Sequence, residues 1–140
     1  MKALTISQPY ASLIAGGQKW VENRRWPTSH RGPLAIHAGK GTQYLTRRAL
    51  ADYPTGCVVA VAELVACVEY QAVRHRARSA CHVLEVHRID VDEFLAHEHT
   101  EGPWCWVLKD VRRLAEPIPC RGKQGLFDVE VDRCYEPPRE

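Results

Sequence analysis

No two cysteines in this chain are two residues apart, and Cys57, Cys67, Cys81, Cys105, Cys120 and Cys134 stand singly, without zinc-like Cys/His spacing. That excludes a zinc knuckle and a C-x-x-C redox motif, and it predicts reduced, mostly packed thiols in a cytoplasmic protein. No apolar run is long enough to cross a bilayer, and Met1-Lys-Ala-Leu-Thr-Ile-Ser-Gln-Pro-Tyr lacks the apolar stretch of a signal peptide. A strong charge imbalance is missing too: the formal net charge is +2 and the pI about 8.3. Bulk basicity therefore announces no nucleic-acid partner, and such a partner must be met by local clusters. A P-loop, a Ser/His/Asp triad signature, a dinucleotide fingerprint and paired metal carboxylates are all absent, so neither a cofactor nor a metal is expected.

What is present fits one compact domain. The 140 residues, 45% hydrophobic and 26% charged, suffice for a core without disulfide staples. We expect a single domain over 1–135 and a short tail over 136–140, Glu-Pro-Pro-Arg-Glu. Basic residues cluster at Arg24 and Arg25, Arg47 and Arg48, Arg74 to Arg78, Arg112 and Arg113, and Arg121 with Lys123. Arginine predominates, and its planar fork suits bidentate phosphate contact and stacking on bases.

The stretch Gly17-Gln-Lys-Trp-Val-Glu-Asn-Arg-Arg-Trp puts both charge signs and two indoles within one strand length. In an extended segment Trp20, Glu22, Arg24 and Trp26 share a face, because strand side chains alternate. Lys19 then points the other way, unless it precedes the strand or a bulge re-aims it. The same pattern also fits a salt-bridged surface strand with packed tryptophans.

Periodicity gives the other elements. Lys2 to Ser7 predicts a strand, Pro9 to Ile14 a short helix stopped by Gly16-Gly17, and Leu34 to Ala38 a strand forming a hairpin with the Trp20 stretch. Thr42 to Tyr53 predicts a helix, Gly56 to Val68 a central strand covered on both faces, and Arg74 to Ala80 a surface loop or irregular helix. Cys81 to Ile89 reads as a strand, Asp90 to Glu101 as a short amphipathic helix, and Trp104 to Leu114 as a strand. Pro117 to Gly125 is too rich in proline and glycine for regular pairing, and Leu126 to Val131 reads as a last strand. About six strands and two or three short helices suggest an α+β, mainly β fold: a small barrel with helices packed on it.

Glu63 lies inside the most apolar strand. A buried carboxylate needs a cation, donors or a proton, and the Lys19/Arg24 region is the candidate partner. A register-fixing ion pair, or a strand end open to water, would serve the same residue without function. His97 and His99 sit in a polar setting and read as solvent-facing rather than metal ligands. Arg121-Gly-Lys-Gln-Gly could offer cations and backbone N–H groups to a phosphate, or be an ordinary turn.

In order along the chain, Ser7-Gln-Pro-Tyr-Ala-Ser-Leu-Ile, Gly-x-Lys-x-x-Glu-x-Arg at Gly17 to Arg24, and His30-Arg-Gly-Pro-Leu-Ala-Ile-His-Ala resemble the ASCH (activating signal cointegrator homology) domain, a PUA-like β-barrel family. So do Tyr53-Pro-Thr-Gly-Cys, Glu63, and Pro-x-x-Cys-Arg-Gly-Lys-Gln-Gly-Leu-Phe. The resemblance implies a cleft built from Lys19, Glu22, Arg24 and Glu63, with Trp26 or Trp20 available for base stacking and Arg25, Arg31, Arg121 and Lys123 as further contacts to RNA or other nucleic acid. Its alternative implication is an amidohydrolase acting on an acylated nucleoside such as N4-acetylcytidine, with Lys19, Glu22 and Glu63 catalytic. There Glu22 replaces the threonine of the hydrolase motif, and a carboxylate cannot simply stand in for a hydroxyl nucleophile.

Overall fold

The computed structural model describes residues 1–131; the expected tail and Cys134 lie outside the described residues. Six strands and four short helices alternate along the chain: β1 (Lys2–Ile6), α1 (Tyr10–Ala15), β2 (Val21–Arg24), β3 (Gly32–Ala38), β4 (Cys57–Glu69), α2 (Tyr70–Arg74), α3 (Arg78–Val86), α4 (Val91–Ala96), β5 (Trp104–Pro119) and β6 (Phe127–Asp128). The sheet order is β2-β5-β4-β3-β1-β6, with β1 parallel to β3 and antiparallel to β6, and β2 antiparallel to β5. The class is α+β and mainly β, as the periodicity implies.

The sheet is mixed and open, where a closed barrel was expected. Its two end strands have only four and two residues, so each pairs with one neighbour and no ladder runs on from them.

Two compact units divide the chain. The first comprises Met1–Gln18, Pro33–Ala62 and the chain from Asp110 on; the second comprises Lys19–Gly32 and Glu63–Lys109. In the first, Ala3, Ala35, Val58, Val61, Leu114 and Phe127 form a buried cluster. In the second, α2, α3 and α4 supply Val73, Leu84 and Phe94 to a cluster with Val21, Ala66, Val68, Cys105 and Val107. Each large apolar side chain fully buried there contributes about 1.5–3 kcal/mol.

Four sequence expectations give way here. The Trp20 stretch forms no hairpin with β3; β2 instead pairs with β5, in the register Glu22 to Trp106 and Arg24 to Trp104. Residues 42–52 form single turns, with Leu45 N–H bonded to Thr42 and Ala49 N–H to Thr46. Tyr44 and Leu50 remain exposed, so no apolar face pays for a helix there. The residues read as a strand over 81–89 form most of α3, because Ala80, Val83 and Leu84 pack on the core at helical spacing. Strand β5 also runs on through Pro117 to Pro119, past the expected break.

Candidate functional site

Strand β2 begins only at Val21, so Lys19 and Trp20 precede it and escape the strict alternation of strand faces. Lys19 turns back to Glu22, with Nζ 3.2 Å from Oε1, and Arg24 Nη1 lies 3.3 Å from Oε2 of the same carboxylate. The three side chains are graded in exposure: 5% for Lys19, 9% for Glu22 and 23% for Arg24. One carboxylate thus joins a buried ammonium to a guanidinium that still reaches water, an arrangement that a charge run in the sequence does not reveal.

Paired residues in an antiparallel ladder point to one face, so Glu22 and Arg24 share theirs with Trp106 and Trp104. Trp106 is fully buried and donates its indole N–H to the Trp26 carbonyl at 3.2 Å. That bond fixes the backbone of Trp26 while its indole remains 52% exposed. Trp20 goes elsewhere: its ring stacks on His97 at 4.6 Å and tilts against Phe94, within the helix-covered core. Of the two indoles expected beside the charges, only Trp26 is the exposed one. Trp104 and Trp106, which sequence reasoning passed over, lie opposite the charged pair, and the Trp-x-Trp alternation was the signal for them.

Asn23, on the other face, closes the neighbouring loop. Its Nδ2 donates to the His99 carbonyl at 2.7 Å, and its Oδ1 accepts from Glu101 and Gly102 N–H at 3.0 and 2.8 Å. Beside it, burial pushes the Cys105 thiol up to about 12 and raises Cys67 as well, so neither is poised as a thiolate.

Glu63 does not fill the place expected for it. The cations of the Lys19/Arg24 region are bridged by Glu22, and among the described residues Glu63 forms no ion pair. It is half-buried, and a Cβ placed on Gly32 would lie 3.9 Å from its Oε1, so the carboxylate lies near the start of β3. A partly exposed carboxylate carries less of the desolvation cost that a fully buried one would. Arg25 is exposed, while the Arg31 guanidinium donates to the Thr28 and His30 carbonyls at 2.8 Å each.

The two histidines read as solvent-facing are partly buried. His97 Nε2 accepts from Trp20 N–H at 3.4 Å, and the rings of His97 and His99 meet at 5.5 Å. Burial, then His99 and Lys19, hold the His97 imidazole below its ordinary value and favour the neutral ring that accepts this bond. No group of three metal-ligating side chains gathers among the described residues.

The ASCH domain profile matches residues 4–118. The chain belongs to the ASCH family. This ASCH chain is 22% identical over 148 residues to activating signal cointegrator 1 of Homo sapiens, and 38% identical over 143 residues to that of Mus musculus. Each alignment covers 91% of this chain but 22% of the relative's length. The crystal structure of ASCH from Zymomonas mobilis matches its fold with a TM-score of 0.54 at 23% identity, covering 94% of this chain and 88% of the other. No helix among the described residues of the ASCH chain is long and apolar enough to cross a membrane.

Arg121 and Lys123 belong to the first unit. They line a cleft of about 850 Å³ together with Lys40, which the sequence reading did not single out.

Proposed function

We propose that this chain acts as one ASCH domain over 1–135 that binds single-stranded nucleic acid, in the first instance RNA, through the Lys19-Glu22-Arg24 motif and Trp26. The observation that supports this reading is the graded triad. Glu22 anchors Arg24 from the buried side, so the guanidinium is held in place yet exposed enough to meet a phosphate or a base edge. Trp26, exposed and with its backbone held through the carbonyl, offers a stacking surface two residues on, with Arg25 between them. Stacking on an aromatic ring and hydrogen bonding to base edges are how unpaired RNA is read. The family resemblance implies the same class of partner. Free thiols at the five described cysteines agree with a cytoplasmic location.

The amidohydrolase reading has less support: Glu22 stands where its motif has a hydroxyl nucleophile, and among the described residues Lys19 pairs with Glu22 rather than with Glu63. The proposal is tested by fluorescence anisotropy with a labelled oligouridylate. If about three phosphates are neutralised, the log–log salt slope is near −2, so binding weakens roughly 15-fold between 50 and 200 mM salt. Affinity that ignores salt contradicts the proposal, and acetate release from N4-acetylcytidine that disappears in Lys19→Ala would establish the hydrolase instead.

A further inference from the structure

The cleft in the first unit has its own construction. It is lined by His37, which is fully buried and pairs with Thr5 near the C-terminal end of the β1–β3 ladder. His37 Nε2 lies 2.7 Å from the Cys120 carbonyl, so that nitrogen carries the proton, and Nδ1 meets Thr5 Oγ1 at 3.1 Å. Thr5 Oγ1 also lies 3.4 Å from the Lys123 carbonyl. These bonds lay the 120–123 loop flat on the sheet, and the approach is so close that a Cβ on Gly122 would sit 2.8 Å from both His37 Cε1 and Thr5 Oγ1. Gly56, at φ +67°, adjoins this loop: it bonds through its N–H to the Ala38 carbonyl and through its carbonyl to Cys120 N–H. The Lys40 stem passes within 3.2 Å of where a Gly56 Cβ would be.

The charge in this cleft is of one sign. Lys40, Arg121 and Lys123 line it, all exposed, and among the described residues no carboxylate does. Among the described residues none of these cations is in an ion pair. Like charges gathered at one cleft repel one another, and an anion bound there relieves that repulsion. The volume falls within the range of about 300–1,000 Å³ usual for small-molecule sites.

We propose that this cleft is a phosphate-binding site for a phosphorylated ligand of about mononucleotide size, held by Lys40, Arg121 and Lys123 and shaped by Gly122. It shares no residue with the Lys19-Glu22-Arg24 motif and does not depend on the reading given to that motif. The phosphate comes either from a free phosphomonoester or from the diester backbone of a strand, and the probes distinguish the two sources.

Isothermal titration of the full chain uses uridine 5′-monophosphate, uridine, and an octauridylate without a terminal phosphate. The triple variant K40Q/R121Q/K123Q changes only exposed side chains, and thermal unfolding verifies that it folds. Binding of the monophosphate but not of uridine, weakened at least tenfold in the triple variant, supports a phosphomonoester site. Binding of the octamer alone, weakened tenfold in the triple variant, supports a diester site. Gly122→Ala, which alters no charge but displaces the loop, is expected to weaken the same probe by a comparable factor. Failure of both phosphate probes, equal binding of uridine, or a triple variant that binds like the natural chain overturns the proposal.

Discussion

Glu22 accepts from two cations at a position where its side chain is 9% exposed, and Lys19 is buried more deeply still. Replacing one member of such a buried pair removes the attraction but leaves the desolvation of the other in place. Glu22→Gln should therefore lower stability by about 3 kcal/mol in urea unfolding, whereas Arg24→Gln, whose native side chain already reaches water, should lower it by less. Equal losses would mean that Lys19 draws nothing from the Glu22 charge. At this scale the sequence was informative about identity and poor on geometry. The Gly-x-Lys-x-x-Glu-x-Arg spacing named three residues that do meet. Glu63, by contrast, was assigned a partner on the strength of its apolar neighbours, and its partly exposed position lessens the need for that partner.

His97, just past α4, stacks on Trp20, just before β2, and this ring pair sets a pH dependence. Burial, His99 and Lys19 hold the folded imidazole below its ordinary value, while Glu98 and Glu93 oppose the shift weakly. The unfolded chain then binds the proton more readily than the folded one, so this contribution to stability is complete above about pH 6.5. It is lost progressively as pH falls from there through the lower folded value. Thermal unfolding between pH 7.5 and 5 should show Tm falling on the acid side, and His97→Phe, which keeps a ring on Trp20 but cannot titrate, should flatten that fall. An unchanged slope in the variant would assign the acid sensitivity to other groups.

Elements were legible where packing agreed with local pattern, as in β1, β4, α4 and the first half of β5. The reading failed where tertiary partners decided. Cys81 to Val86 alternates well enough to resemble a strand, yet Leu84 and its helical neighbours had a core to cover. Thr42 to Tyr53 has helical spacing, yet Tyr44 and Leu50 had none.

For the whole molecule, composition and strand count conveyed the α+β class, and the ordered motifs conveyed the family. The pairing of β2 with β5 was not legible, because a partner some 80 residues away leaves no local mark on a four-residue strand. That pairing places Trp104 and Trp106 opposite Arg24 and Glu22, and it holds the Trp26 carbonyl on the Trp106 indole. Of all the groups so assembled, Trp26 has the most exposed ring and sits outside both buried clusters, so removing it tests ligand contact with little effect on folding.

The most direct measurement is the affinity of the full chain for octauridylate in Trp26→Ala compared with the unaltered chain, with unfolding temperature followed in parallel. Loss of one stacked base, worth about 1–3 kcal/mol, should weaken binding by roughly 5- to 150-fold at nearly constant Tm. Unaltered affinity in that variant would contradict the assignment of this face to nucleic acid.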